Sequence, residues 1–249
     1  MKHAGMTVFL VLALVLTLVA AQAAVQAATT LEFATSAGRL TIHPVGHGSL
    51  YFTFNGLVIH VDPYSGAGDY STLPNADQIW ITHDHGDHLD LQAIAQVATP
   101  ETVIIADGAS AGRINRPNVI ALANGQTIER GGVRIQAVPA YNLVQERAPG
   151  VKYHPKGMYN GYIASFGDFR VYVAGDTECI PEMREFGPID VAFIPINLPF
   201  TMPPEEAVGC IKVIAPKIVV PYHQGNSDPK VVADRLKGSG IEVIVLPLP

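Results

Sequence analysis

The sequence has 249 residues, 48% of them hydrophobic and 15% charged, which is too apolar for a disordered chain and long enough to bury a full core. Sixteen Lys+Arg against 22 Asp+Glu give a net charge of −6, and no cluster of Lys or Arg forms the basic face that a nucleic-acid binder needs. Two cysteines, neither in a C-x-x-C pattern, exclude a disulfide framework and a cysteine-based metal knot.

The N-terminus reads as a leader. Lys2 and His3 give a short basic start, and Thr7 to Ala20 then runs fourteen residues without a charge. Ala21-Gln22-Ala23 and Val25-Gln26-Ala27 offer small residues where a signal peptidase reads. Residues 1–27 are therefore expected to be a secretory signal peptide, and residues 28–249 the exported chain, periplasmic or extracellular, starting at Ala24 or Ala28. The competing reading is an uncleaved anchor, since Thr7 to Ala28 is uncharged for 22 residues and just spans a bilayer. The Gln and Ala content of its second half argues for cleavage, after which no membrane attachment remains. Cys179 and Cys210 would then meet an oxidising compartment, where they either pair or stay as thiols.

From Leu40 onward, short apolar runs alternate with Gly, Pro, Asn and Asp. Ser49 to Phe54 and Leu57 to Val61 flank Asn55-Gly56, a two-residue hairpin signal. Ile79 to Thr82 is a short buried strand that runs straight into a loop. Leu89 to Val97 has helical spacing after the cap candidate Asp90, with Pro100 expected to end it. Thr102 to Ala106, Val119 to Leu122 and Val133 to Val138 read as strands. Tyr162 to Phe166 and Phe169 to Ala174 flank a second hairpin turn, Gly167-Asp168. Then come strand Val191 to Ile196, helix Pro204 to Ile214, strand Lys217 to Pro221, helix Val231 to Lys237 and strand Glu242 to Leu246. Hairpins first and β-α alternation later, with no linker or repeat, predict a single α/β domain with helix-covered sheets.

The chemistry is concentrated in His83-Asp84-His85-Gly86-Asp87-His88. Histidines at i and i+2 of an extended segment point to one side, so His83 and His85 reach a single cation. Gly86 lets the backbone turn and bring Asp87 and His88 toward a second cation. Further donors wait at strand ends. Asp176 follows the strand ending at Ala174, where it either bridges two cations or serves as an ordinary turn or cap residue. His223 follows the strand ending at Pro221, and taken alone would be a structural histidine.

His-x-His-x-Asp-His, Gly175-Asp176-Thr177 and the strand-end His223 together resemble the metallo-β-lactamase superfamily, from about Val45 to His223. Gly46-His47-Gly48-Ser49, Val61-Asp62-Pro63, Ala174 to Thr177 and Phe200 to Ala207 resemble its small single-domain metal-dependent hydrolase branch, related to ascorbate-phosphate lactonase and N-acylphosphatidylethanolamine phospholipase D. The resemblance implies a four-layer αββα sandwich with the metals at one edge. It implies two divalent ions, zinc with Mn2+ or Fe2+ as alternatives: His83 and His85 on the first, Asp87, His88 and His223 on the second, and Asp176 between them. Asp87 would also orient the attacking hydroxide. His47 and Asp62 are expected to stand behind the ligands, with Asp62 fixing a ligand imidazole's tautomer. His43 and His60 are expected to be structural.

One position departs from the pattern. After the strand Val133 to Val138, where the superfamily usually places a third histidine for the first metal, the sequence reads Pro139-Ala140-Tyr141-Asn142. His154 is the only other histidine between residues 89 and 222, so it is the expected replacement, with Asn142 the alternative. The Pro- and Gly-rich segment 149–161 would then fold back over the site. The functional expectation is a binuclear hydrolase acting on a small-molecule ester, lactone or phosphodiester, with no nucleic-acid partner. A non-catalytic metal-binding protein and a β-lactamase are the alternatives. Tyr141, Tyr159, Tyr162 and the Pro199 to Pro204 loop are expected to line the cleft.

Overall fold

The structure, a computed structural model, describes residues 30–248, so the leader assigned to residues 1–27 lies outside the described residues. The chain opens with β1 (Leu31–Thr35), β2 (Gly38–Gly46), β3 (Ser49–Phe54) and β4 (Leu57–Val61), paired antiparallel in sequence order. Between β3 and β4, Asn55 and Gly56 hold φ of 50° and 86°, the positive pair that a two-residue hairpin turn demands. β5 (Ala76–Ile81), β6 (Ala98–Ala106) and β7 (Val119–Ala121) then add in parallel, completing a seven-stranded sheet. Helices α1 (Leu91–Val97) and α2 (Gly108–Arg113) make the connections. Asp90 caps α1, its carboxylate accepting from the Gln92 and Ala93 N–H groups.

The second half builds another seven-stranded sheet from β8 (Thr127–Arg130), β9 (Val133–Ala140), β12 (Tyr159–Phe166), β13 (Phe169–Val173), β14 (Val191–Pro195), β15 (Ile218–Tyr222) and β16 (Glu242–Val243). A separate two-stranded hairpin, β10 (Glu146–Ala148) and β11 (Val151–Lys152), stands between β9 and β12. Helix α3 (Pro204–Ile214) follows β14, and α4 (Lys230–Leu236) follows β15. β13, β14, β15 and β16 are parallel, as are the strands from β4 to β7 in the first sheet.

Strand alternation sorts side chains into layers. Trp80 points between the sheets with Phe52, Phe166 and Phe193, while its neighbours Ile79 and Ile81 face outward onto Ile94 and Val97 of α1. In the other sheet Val171 and Val173 face inward, and Tyr172 and Ala174 pack outward against Ile211 and Cys210 of α3. The result is the αββα sandwich. Cys179 and Cys210 are free thiols in this outer layer.

Some expectations are corrected. Pro100 does not terminate the helix; α1 ends at Val97, and Pro100 sits inside β6, where the register with β5 shifts and tolerates a missing N–H. The last strand stops at Val243 rather than Leu246. Tyr162 does not line a cleft: it is fully buried between the sheets and donates its hydroxyl to Ile81 O at 2.7 Å. Tyr141 is also buried, in the outer core, and its hydroxyl donates to Glu182.

Candidate metal centre

The donor residues converge because strand ends converge. Asp62 follows β4, His83 follows β5, Asp176 follows β13, Asn197 follows β14 and His223 follows β15. These are the C-terminal ends of the parallel strands in both sheets, and the sheets are stitched at that edge. The Asn160 N–H, at the start of β12, donates to Thr82 O at 2.9 Å. Tight backbone is part of the construction. His47, Asp62 and His223 hold φ of 53°, 45° and 46°, a left-handed conformation that non-glycine residues adopt where the surroundings over-determine it.

Three donor groups form, each with its ligand atoms within 4.8 Å of one another: His83, His85 and His154; His47, Asp87, His88 and His223; and His83, His88 and Asp176, which links the other two. His154 Nε2 lies 3.2 Å from His85 Nδ1, and His223 Nε2 lies 3.1 Å from His88 Nε2. Two nitrogen ligands about 2.0–2.1 Å from one tetrahedral cation stand about 3.3 Å apart, so these pairs already have chelating separation. Asp176 divides its oxygens between the groups. Oδ2 is 3.9 Å from His83 Nε2 and 3.5 Å from His154 Nε2, while Oδ1 is 3.4 Å from His88 Nε2 and 3.5 Å from His223 Nε2.

Two orphaned atoms test whether these residues suit a metal. His83 Nε2 and Asp176 Oδ1 are buried without a hydrogen-bond partner. Leaving a buried polar atom unpaired costs about 1–3 kcal/mol, and both atoms face the space between the donor groups. A cation there satisfies them at once. The donor set therefore fits one or two divalent ions.

The remaining atoms fix how the ligands present themselves. His88 Nδ1 donates to Asp62 Oδ2 at 2.8 Å, leaving Nε2 for the cluster. Thr82 donates its hydroxyl to the same carboxylate at 2.6 Å and meets His83 Nδ1 at 3.0 Å, so His83 also turns Nε2 inward. His154 donates through both its backbone N–H and Nδ1 to Asn142 Oδ1, each at 2.8 Å. Asn142 thus spends its side-chain oxygen on aiming the histidine that enters the cluster. Asn197 places its side-chain amide 3.1 Å from His223 Nδ1. His47 donates to Asp87 Oδ2 at 3.0 Å and lies tilted against the His223 ring with centroids 3.8 Å apart, so it braces a carboxylate of the second group.

Protonation differs between the donors: His83 and His154 are held in the form that ligates, whereas His88 would give up a proton to a cation. Burial, reinforced by neighbouring His88, holds the His83 pKa well below its ordinary value, and burial pulls His154 down to about 4. Both are therefore neutral near pH 7, the form a metal requires. Burial raises the Asp176 carboxyl, but His223 and His88 outweigh it and keep the group ionised. Burial also opposes charge on His88, yet Asp176 and Asp62 prevail and hold its pKa well above the usual value.

Several residues support the donors; Tyr159 was expected in the cleft lining, whereas Glu178, Arg113 and Asn197 were not singled out from the sequence. Glu178 is buried and accepts the backbone N–H groups of Leu143, Val144 and Gln145 as well as the Asn142 amide. Tyr159 packs its ring on His83, His85 and His154 and donates its hydroxyl to Asp84 Oδ1 at 2.7 Å. Arg113 grips Asp84 from the other side. Thr82 and Glu178 are direct neighbours of the motifs, which was the available signal; Asn197 had none. His60 is buried away from the donors with Nε2 on Pro74 O, and His43 stacks on Tyr51.

Comparison with known proteins agrees with this geometry. A metal-dependent hydrolase of the UPF0173 group from Pyrococcus horikoshii is 32% identical over 219 residues, covering 81% of this chain and 94% of that protein. A counterpart from Thermococcus onnurineus is 35% identical over 182 residues, covering 69% of this chain and 79% of the relative. The crystal structure of a protein from Parabacteroides distasonis, described as a metal-dependent hydrolase, superposes with a TM-score of 0.84 at 44% identity, covering 88% of this chain and 99% of that one. The family model for the beta-lactamase superfamily domain matches residues 41–223, every donor residue included, and the chain belongs to that superfamily.

Proposed function

We propose that this protein is a binuclear metal-dependent hydrolase that opens an ester, lactone or phosphodiester bond in a small molecule. The observation that carries the reading is the division of the Asp176 carboxylate, one oxygen toward each donor group. His83, His85 and His154 would hold one cation and Asp87, His88 and His223 the other, with Asp176 across both and His47 beside the second. A pair of divalent cations in such a site lowers the pKa of water and polarises the oxygen under attack. Zinc suits this imidazole and carboxylate set, with Mn2+ and Fe2+ as alternatives.

Asp176 is enclosed, whereas the Asp87 side chain is 36% exposed, so Asp87 is the carboxylate that meets incoming water. Its Oδ2 is engaged by His47, which leaves Oδ1 to orient the nucleophile and receive its proton. The names of the curated relatives support hydrolysis. The segments resembling ascorbate-phosphate lactonase and N-acylphosphatidylethanolamine phospholipase D support lactones and phosphodiesters among the candidate bonds. The acidic balance supports a small-molecule substrate over nucleic acid, and the leader-like N-terminus supports export to the periplasm or the medium.

The test is elemental analysis of protein never exposed to chelator, followed by a screen of the metallated protein on lactones, acyl esters and phosphodiesters. Two metal equivalents and turnover in one class are expected. A chain that takes up no metal, or a fully loaded one that cleaves none of the three, removes the proposal. Mass spectrometry of the secreted chain tests export through its N-terminal residue, Ala24 or Ala28.

A further inference from the structure

The large hydrophobic side chains left exposed are unevenly distributed. Val144 is 71% exposed, and Leu143, Met158, Leu198 and Phe200 are each 40–46% exposed. They lie on segments whose neighbouring residues reach the donor groups. Leu143 and Val144 follow Asn142, which aims His154, and Leu198 follows Asn197, which contacts His223. The segments also touch one another: the Asn142 amide donates to Phe200 O at 2.8 Å, and the Tyr153 ring meets Phe200 edge-on at 5.1 Å.

This apolar rim is held in place. The Leu143 and Val144 N–H groups donate to the buried Glu178 carboxylate at 3.0 and 2.8 Å, which fixes the backbone while both side chains stay outside. Exposed apolar surface beside a cluster of polar donors marks ligand contact rather than packing. Charge points the same way. Lys152 is paired with Glu146, Lys156 with Glu182 and Arg113 with Asp84, which leaves Arg147 as the remaining cation of the β10–β11 hairpin. A phosphoryl substrate wants several unpaired cations, whereas an acyl chain wants an apolar wall.

We infer that this centre takes carboxylic esters whose acyl part carries an apolar chain, with that chain lying along the rim formed by Leu143, Val144, Leu198 and Phe200. The inference rests on the hydrolase reading and names its substrate class. A fully buried methylene contributes about 0.8 kcal/mol, or about fourfold, and a rim covering one side of the chain gives about twofold per methylene.

The experiment measures kcat/KM of the metal-loaded full chain on p-nitrophenyl acetate, butyrate, hexanoate and octanoate, with bis(p-nitrophenyl) phosphate alongside. The expected result is a rise of about fourfold for each two-carbon step, flattened by Phe200→Ser and by Val144→Ser. Val213→Ser, an exposed apolar residue of α3, should leave the slope as in the wild type. A flat series with measurable ester hydrolysis overturns the inference and keeps the hydrolase. Cleavage of the phosphodiester alone does the same, and so does cleavage only of esters embedded in phosphatidylcholine vesicles, which would make the rim a lipid-docking face. No cleavage of any substrate by fully loaded protein overturns the hydrolase reading, and the inference falls with it.

Discussion

His83, His85 and His154 meet as imidazoles with no carboxylate of their own, whereas His88, His223 and His47 gather around Asp87. The difference extends to what holds them. In the second group His47 and His223 sit on left-handed backbone beside strand ends, and His88, from the loop after β5, is locked by the buried Asp62 carboxylate. The first group borrows His154 from the segment after β11, far along the chain from His85, and aims it with a neutral amide. One group is built into the sheets and the other is completed by a loop. The second should therefore bind its cation more tightly, with its extra negative charge and a carboxylate-backed imidazole. Chelator should strip the first group before the second.

Asp176→Ala abolishes the contrast by damaging both groups at once, and its effect should be the largest. It removes the one carboxylate that the two groups share among the described residues, leaving any two cations unshielded from each other. The expected loss in kcat/KM is about a thousandfold or more, equivalent to about 4 kcal/mol of transition-state stabilisation. Metal content should fall below two equivalents. Wild-type rate with full metal content would show that the carboxylate does not bridge.

His154→Ala acts on one side only. It should release one metal equivalent and cost about a hundredfold in activity, with the second equivalent retained. Asn142→Ala leaves the imidazole in place but removes the acceptor for its Nδ1, and should weaken the first cation about tenfold, in the range usual for groups that orient a ligand. If Asn142→Ala proved the more damaging of the two, the amide would be the ligand and His154 its support.

That pair of residues also shows what a sequence displays and what it hides. Five His and Asp residues packed into positions 83–88 announce themselves, because such a run serves neither a core nor an ordinary turn. His154 was reachable by elimination, through the shortage of other histidines. Asn197 and Glu178 act through tertiary contacts: one amide touches His223 and one carboxylate gathers three backbone N–H groups, and the one local signal is Glu178's place beside Gly175-Asp176-Thr177. The fold divides in the same way. β3, β4, β12 and β13 were legible because alternating apolar runs flank two-residue turns. β1 is a short edge strand with no fully buried residue, and α2 reads Gly-Ala-Ser-Ala-Gly-Arg, with no apolar periodicity to betray a helix.

Gly48→Ala sharpens the comparison from the second group's side. A Cβ at residue 48 would stand 2.9 Å from His88 Cε1 and 3.3 Å from His223 Cδ2, so both imidazoles must give way. His88 cannot yield freely, because Asp62 holds its other nitrogen. The second cation should weaken by about tenfold, and overpacking should cost about 1–3 kcal/mol of stability. Competition titration with a chromophoric chelator separates the two equivalents. Equal weakening of both would mean that the groups are mechanically one unit and the contrast between them is false.

Tyr159→Phe tests the first group with the least disturbance. The ring, which packs 5.3 Å from His83, 5.9 Å from His85 and 5.8 Å from His154, stays where it is. Only the hydroxyl is lost, and with it the bond to Asp84. Asp84 lies between His83 and His85 in the chain, so its side chain is a handle on the extended backbone that aligns both imidazoles. Arg113 still holds the other carboxylate oxygen at 3.1 Å, so the handle loosens rather than lets go. Burial raises the Tyr159 pKa, and the Asp84 carboxylate raises it further, so the phenol remains the donor at any working pH. The first cation should weaken by about threefold to tenfold and the second should not change. Arg113→Ala should reproduce the effect, because it releases the same carboxylate from the opposite side. If either variant shifted the second cation instead, Asp84 would be positioning Asp87 and His88 through the loop, and the division between a sheet-built and a loop-completed site would have to be redrawn.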